Sequence, residues 1–338
     1  MRPVTAYRDV TEYQFVTEIA PANRPAILKG LVKDWPAVKL AEQSAEAVTD
    51  YLKACDTGLP GAIILGDPKI KGEFFYGPTT QSINFEHAVA PFSETLDRLL
   101  AQRDLAEPQA VYIQSAPIQE HFPRFRADNR IAFVPPNIEP RIWIGNALRV
   151  QTHYDLSHNI ACLVAGRRRF TLFPPEQLVN LYPGPLDKTL AGAPISMVSL
   201  EQPDFERYPR FALALEQAQV AELEPGDGLF IPYFWWHHVR SYETFNILVN
   251  YWWNNARTDL GSPYQSLMHT ILTIRDLPPN QREAWRTMFG YYAFGSHGDP
   301  VAHMPPEDRG TLGPIPPALN RQMRIALFQT ELARLLQG

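Results

Sequence analysis

The middle of the chain consists of short apolar or alternating runs, each bounded by turn residues. Between residues 108 and 253 these runs follow one another without regularly alternating helical patterns. The pattern predicts strands at Ala110–Ser115, Arg141–Gly145, Arg149–Tyr154, Asn159–Ala165, Arg168–Phe173, Gln219–Leu223, Gly228–Ile231, His237–Ser241 and Phe245–Trp253. Many short antiparallel strands favour a barrel or jelly roll over a parallel α/β sheet. A short helix is expected at Pro175–Leu181.

The regions on either side of these strands have a different character. Residues 1–105 mix helical and short extended patterns, so they are predicted as a mixed α/β flank of a jelly-roll core at 106–256. After Asn254 the pattern becomes helical, and residues 257–338 are predicted as a separate helical region. Its last helix, Ala318–Leu336, carries an apolar stripe at helical spacing, formed by Ile325, Phe328, Leu332 and Leu335.

Charge and composition exclude several classes of protein. The net charge of −5 gives no basic footprint for nucleic acid or for an anionic membrane surface. No apolar run reaches the length of a transmembrane helix, and the first residues lack the apolar core of a signal peptide. Cys55 and Cys162 lie far apart, which indicates buried thiols rather than a disulfide. We therefore expect a cytoplasmic protein without nucleic-acid or membrane partners.

Two short strings provide a candidate metal site. Residues 152–155 read T-H-Y-D and residues 235–238 read W-W-H-H. Side chains two apart on a strand share a face, so His153 and Asp155 can point into a barrel together. A histidine from a later strand, His237, could join them there. Two histidines and one carboxylate are the ligand set of non-haem Fe(II) oxygenases.

A histidine two residues before an acidic residue also occurs by chance, so the sequence around His153 and Asp155 must be considered. With nine histidines and 36 acidic residues, about one H-x-[D/E] is expected by accident. The second copy in this chain, His297 with Asp299, lies in a glycine- and proline-punctuated stretch that reads as a loop. Only the pair at His153 has a strand context and a later strand histidine.

The surrounding motifs resemble a known family. N-I-A-C-L-V-A-G-R-R-R-F-T-L-F-P-P-E-Q follows T-H-Y-D, and P-G-D-G-L-F-I-P-Y-F-W-W-H-H-V and N-I-L-V-N-Y-W-W come later. Over roughly residues 20–255 this order resembles the JmjC/cupin-like hydroxylases, and within them the asparaginyl hydroxylase subgroup of hypoxia signalling. The resemblance implies a double-stranded β-helix that uses Fe(II) and 2-oxoglutarate.

The resemblance also implies roles for individual residues. His153, Asp155 and His237 would be the iron ligands. The residues that match the 2-oxoglutarate pocket are Tyr112, Arg168, Asn159, Asn250 and Trp252. Arg168 replaces a family lysine that pairs with the distal carboxylate, and arginine can bind the same group in a bidentate fork. Val150 lies near a family threonine, whose hydroxyl it lacks.

Strand parity gives independent support for Arg168. In the run Arg167-Arg168-Arg169, alternation places the middle arginine on the face opposite its neighbours. We predict that Arg168 points inward, the alternative being three solvated charges on an edge. Four further residues are predicted as a possible substrate rim: Gln114, His158, Trp236 and His238.

The leading functional prediction is a 2-oxoglutarate-dependent iron dioxygenase that uses O₂ to hydroxylate an unactivated C–H. Its substrate would be a peptide or protein side chain or an amino acid, with a small natural product as the alternative. The segment 191–196 lacks the polar residues with which the asparaginyl hydroxylase grips its target amide. A non-oxidative cupin and a catalytically silent cupin that acts as a binding module stay open. The stripe on the last helix is either intrachain packing or a homodimer interface, and the resemblance favours the homodimer.

Overall fold

Two β-sheets built from fifteen strands form the centre of the first of two units. The computed structural model describes residues 1–190 and 192–337. The chain divides into the units Met1–Asn254 and Asn255–Gly338. The strands are β1 Arg2–Pro3, β2 Thr5–Arg8, β3 Ala26–Lys29, β4 Pro60–Gly66, β5 Glu73–Phe74, β6 Phe85–Pro91, β7 Ala110–Pro117, β8 Pro140–Gly145, β9 Arg149–Tyr154, β10 His158–Ala165, β11 Arg168–Phe173, β12 Gln219–Leu223, β13 Gly228–Ile231, β14 Trp236–Ser241 and β15 Asn246–Trp253.

Helices lie mainly in the flank and in the second unit. The α-helices are α1 Glu12–Gln14, α2 Pro36–Gln43, α3 Ala45–Cys55, α4 Phe92–Gln102, α5 Ile118–His121, α6 Pro123–Asp128, α7 Phe211–Gln217, α8 Pro263–Ile274, α9 Pro279–Tyr292 and α10 Pro317–Gln337. The shorter turns are a π-helix at Phe15–Ile19 and 3₁₀ helices at Pro68–Ile70, Pro175–Asn180, Pro306–Asp308 and Gly310–Leu312. Within the described residues, no helix is both long and apolar enough to cross a membrane.

The sheet topology is that of a jelly roll with an extended second sheet. Six strands pair in the order β1-β12-β11-β14-β9-β5, and nine in the order β2-β3-β13-β10-β15-β8-β7-β4-β6. All nine strands predicted from the sequence are present, and their ends differ from the expected ones by at most two residues. The predicted mainly-β jelly-roll fold with a helical extension is confirmed.

Strand alternation decides which side chains enter the space between the sheets. On β11, Phe170 and Leu172 point inward and pack with Leu163 and Leu229 of the opposite sheet. Arg168 shares their parity, so it also faces inward. Its neighbours Arg167 and Arg169 form ion pairs outside with Glu243 and Glu222. The parity prediction for Arg168 is confirmed, since that side chain is 2% exposed.

The outer faces of both sheets are covered as well. Helices α2 to α6 pack on the nine-stranded sheet through a large apolar cluster that includes Phe92, Leu96 and Ile142. Helix α7 and the loop before it cover the six-stranded sheet at Phe173 and Phe211. Because both outer faces are buried, many strands carry apolar residues on both of their faces, as strand β10 does.

Candidate metal and cosubstrate site

Three potential metal ligands meet at one end of the space between the sheets. His153 on β9 is the direct register partner of His237 on β14. Asp155 follows the end of β9. One ligand atom from each of the three residues lies within 4.8 Å of the others, and the His237 Nε2 to Asp155 Oδ2 distance is 3.8 Å. Antiparallel pairing of two strands therefore brings together residues 84 positions apart.

Backbone carbonyl groups orient both imidazole rings. The Nδ1 atom of His153 lies 2.7 Å from the carbonyl oxygen of Gln151, and that of His237 lies 3.1 Å from the carbonyl oxygen of Trp235. A carbonyl only accepts hydrogen bonds, so Nδ1 must hold the proton in both rings. Each Nε2 then presents a lone pair, the form in which histidine binds a metal.

The protonation of His237 agrees with this arrangement. Burial and, to a lesser extent, the neighbouring His153 lower the pKa of His237 to about 4, while Asp155 opposes the change. The ring is therefore neutral near pH 7. Two imidazoles and one carboxylate fit a divalent ion such as Fe(II) and leave coordination positions open.

An indole holds the carboxylate of Asp155 in place. Trp252 on β15 donates its Nε1–H to Asp155 Oδ2 at 3.1 Å, so a side chain from the nine-stranded sheet fixes a ligand of the other sheet. Trp143 packs edge-on against Trp252 with ring centroids 5.9 Å apart. Its own indole donates to Asn250 Oδ1 at 2.8 Å. The predicted pocket residues Asn250 and Trp252 thus belong to one hydrogen-bonded wall.

Arg168 is a buried cation without an acidic partner. No described residue forms an ion pair with it, and its Nε has no hydrogen-bond partner. Burial lowers the pKa of Arg168, while interaction with the Tyr112 hydroxyl opposes that change. Burial also raises the pKa of Tyr112 to about 12, so the phenol is neutral. A buried guanidinium requires an anion, and a dicarboxylate such as 2-oxoglutarate fits this environment.

Asn159 contributes a second unsatisfied polar atom. It lies on the inner face of β10, opposite Trp252 in the register, and is 5% exposed. Its Oδ1 has no partner among the described residues. Buried polar atoms are normally hydrogen-bonded, and rotation of the amide would place its NH₂ group here as a donor to a carboxylate oxygen of the cosubstrate. Both orphaned atoms belong to residues predicted for the cosubstrate pocket.

A cavity borders His153 on the side of Tyr112. Its polar lining consists of Tyr112, Gln114, Gln151 and His153. Its apolar lining consists of Ile64, Phe74, Phe85, Val150, Leu190 and Ile195. The loop at Ile195 is held against β9 by a bridge to His153 and by a 2.7 Å hydrogen bond from Ser196 N–H to the Thr152 carbonyl. Of the segment 191–196, Ala191 lies outside the described residues.

The structure corrects two of the four predicted rim residues. Trp236 is fully buried and His238 is 2% exposed, because both point to the outer face of the six-stranded sheet, opposite to His237. The prediction that they line a substrate rim is wrong. His158 points away from Asn159 and packs between Phe230 and Trp253. Only Gln114 lines the cavity.

Sequence reasoning missed three residues of this site. Trp143, Gln151 and Glu73 all take part in its hydrogen bonds. Gln151 lies two residues before His153, but a register shift between β9 and β14 at this point brings both Val150 and Gln151 to the cavity, which strict strand alternation does not predict. Glu73 comes from β5, which pairs in parallel with β9 at Arg149, and no local pattern links those two segments.

Comparison with known proteins agrees with this geometry. Residues 12–259 match the family model described as a Cupin-like domain. The chain is 27% identical to tRNA wybutosine-synthesizing protein 5 of Danio rerio over 83% of this chain and 88% of that protein. It is 40% identical to lysine-specific demethylase JMJ31 of Arabidopsis thaliana, over 33% of this chain and 20% of that protein.

A third relative matches an intermediate share of this chain. HSPB1-associated protein 1 of Homo sapiens is 36% identical over 44% of this chain and 30% of that protein. The three names refer to different biological roles, so the similarity identifies a family and leaves the substrate open. The family match spans strands β3 to β15 and all three metal-ligand candidates. The chain belongs to the Cupin-like domain family.

Proposed function

We propose that the protein is an Fe(II)- and 2-oxoglutarate-dependent dioxygenase that hydroxylates an unactivated C–H. The observation that carries this proposal is Arg168, a buried cation with no acidic partner among the described residues, which shares the inner space with a His/Asp/His cluster. A non-oxidative cupin would have no need for a buried dicarboxylate anchor. Tyr112 connects the two features, because it contacts Arg168 and also lines the cavity beside His153.

Different residues of the chain would bind the metal and the cosubstrate. Fe(II) held by His153, Asp155 and His237 would supply oxygen activation coupled to decarboxylation of 2-oxoglutarate. Arg168 and Tyr112 bind the distal carboxylate, and Trp252 keeps Asp155 in a fixed orientation. The apolar wall of the cavity excludes water from the reacting C–H.

For the substrate, we propose a peptide or protein side chain or an amino acid, with a small natural product as the alternative. The net charge of −5 supports a partner other than a polyanion. A second candidate is a modified tRNA base, because the similarity to the wybutosine-synthesizing proteins extends over most of both chains. Incubation with total tRNA, followed by nucleoside mass spectrometry, separates the two, since a nucleoside heavier by one oxygen atom appears only if a tRNA base is the substrate.

We also propose that the second unit pairs with another copy of the chain. Among its described residues Val301 is the one buried hydrophobic side chain, whereas Phe328, Leu332 and Leu335 on α10 are 57% to 76% exposed. An apolar face of this kind on a helix is normally covered by a partner. A closed two-fold pair would cover it on both copies at once.

The first experiment is anaerobic loading with Fe(II), followed by titration with 2-oxoglutarate while the visible charge-transfer absorption of the chelated keto acid is recorded. Wild type should develop the band. Arg168→Ala should lose it at the same 2-oxoglutarate concentration, whereas Arg169→Ala, an outward-facing neighbour, should keep it. Absence of the band in folded wild-type protein would contradict the proposal and favour a silent or zinc-binding cupin.

A further inference from the structure

Gln151, in the lining of the cavity beside His153, carries a hydrogen-bond acceptor that no described group of the protein satisfies. Gln151 is 3% exposed and lines the cavity. Its Nε2 donates to Glu73 Oε1 at 2.9 Å, whereas its Oε1 has no partner among the described residues. A buried acceptor is normally paired with a donor, so this oxygen points to a donor that the described residues do not supply.

The orientation of the Gln151 amide is fixed by chemistry. The two ends of a glutamine amide look alike in shape, but a carboxylate can only accept hydrogen bonds. The atom that faces Glu73 must therefore be the NH₂ group, and the oxygen must face the other way. Rotation of the amide would place two acceptors against each other.

Glu73 is itself held from both sides. Arg149 Nη1 lies 3.1 Å from Glu73 Oε2, and the Ser199 hydroxyl lies 3.4 Å from Glu73 Oε1. The approach of β5 to β9 depends on Gly72, which has a φ of 75° and whose Cβ would lie 2.2 Å from the Ala147 carbonyl oxygen. The unsatisfied oxygen of Gln151 is thus a preorganised acceptor on a rigid support.

The chemistry of this acceptor excludes the cosubstrate as its partner. The carboxylates of 2-oxoglutarate offer no hydrogen to Gln151 Oε1, and Glu73 next to it disfavours a second negative charge. The remaining wall is apolar except for Tyr112, Gln114 and His153. Gln114 is partly buried, and its side chain makes no hydrogen bond to a described residue. The space therefore fits an apolar group with an N–H or O–H donor.

We infer that Gln151 is a specificity-determining residue, which accepts a hydrogen bond from an N–H or O–H group of the substrate beside the metal centre. This inference rests on the proposed oxygenase function and names the class of substrate that the cavity takes. Glu73 is a positioning residue, because it acts by fixing the direction of the Gln151 amide. Analogues without the donor leave the buried oxygen unpaired and bind more weakly.

The test uses two probes of almost equal shape, pyrrole with a ring N–H and furan with a ring oxygen. Each is titrated by saturation-transfer NMR into protein loaded with diamagnetic Zn(II) and 2-oxoglutarate. Wild type should bind pyrrole about tenfold more tightly than furan. Gln151→Met should reduce that ratio to near one, and Gln281→Met, at an exposed glutamine of α9, should leave it unchanged.

A second variant keeps the inference testable if Gln151→Met does not fold. Glu73→Gln introduces a group that can donate as well as accept, so the Gln151 amide can turn either way and the pyrrole preference should fall. Equal binding of both probes by wild type, or an undiminished ratio in Gln151→Met, would overturn the inference.

The charge-transfer measurement separates this inference from the proposed function. Gln151→Met should retain the Fe(II)/2-oxoglutarate band, because the Gln151 side chain is assigned to neither ligand. A normal band without pyrrole preference contradicts the role of Gln151 alone. If wild type prefers pyrrole but develops no band, the oxygenase function is contradicted. Gln151 would then still select a hydrogen-bond donor, but that donor would not belong to an oxygenase substrate.

Discussion

Trp252 and Asp155, 97 positions apart in sequence, are joined by a 3.1 Å hydrogen bond from the indole N–H to the carboxylate Oδ2. The bond spans the two sheets, since Trp252 lies on β15 and Asp155 follows β9. It restrains the plane of the carboxylate through Oδ2, the oxygen that also lies 3.8 Å from His237 Nε2. Hydrogen bonds of this kind to metal ligands commonly change metal affinity by about 10- to 100-fold.

We therefore expect Trp252→Phe to weaken Fe(II) binding by about tenfold, with little loss of packing. Affinity can be measured anaerobically by competition with a chromogenic chelator. Trp253→Phe is the matched control, because that residue alternates to the opposite strand face. Equal affinities for wild type and Trp252→Phe would show that the indole has no role in holding the ligand.

Arg168→Met should separate cosubstrate binding from folding. The substitution removes a buried, unpaired charge and keeps an extended apolar side chain, so the metal-loaded protein without 2-oxoglutarate should be at least as stable as wild type. Addition of 2-oxoglutarate should then raise the melting temperature of wild type only. An equal rise in Arg168→Met, measured by calorimetry, would exclude Arg168 as the anchor.

The ion pair between Lys29 and Asp227 should contribute measurably to stability. Asp227 is 5% exposed and also accepts backbone N–H bonds from Gly30 and Glu224, at 3.1 Å each. Asp227→Ala leaves these donors without their acceptor and should lower the free energy of unfolding by about 2 kcal/mol. Asp97→Ala, at a solvated ion pair with Lys53, should cost less than about 1 kcal/mol in the same urea titration.

Leu332→Glu should convert a dimer into a monomer if α10 pairs with a second copy. A charge placed in a buried apolar interface is unfavourable, whereas the same residue on a solvated face has little effect. Light scattering after size-exclusion chromatography gives the mass directly. Thr330→Glu, on the face of the same helix opposite the stripe, is the control, and a monomeric wild type would refute the dimer.

The sequence predicted the strands more completely than it predicted the positions of individual side chains. Period-two alternation and turn residues located β9, β11 and β13 with their observed ends, since a half-buried strand must alternate. The same alternation predicted that Arg168 points inward. Applied to Trp236 and His238, it indicates outward positions as well, and placing them on a rim overlooked that constraint.

The sequence by itself determined the jelly-roll strands, the inward arginine and the identity of the three candidate ligands, because these depend on local periodicity and on residue type. The tertiary structure alone decided which distant groups meet. It placed Trp252 on Asp155, and Glu73 on the amide of Gln151. It also left the Gln151 oxygen and the Arg168 Nε unsatisfied. Such contacts arise from strand register and from the packing of one sheet on another, and neither is encoded in any short stretch of the chain.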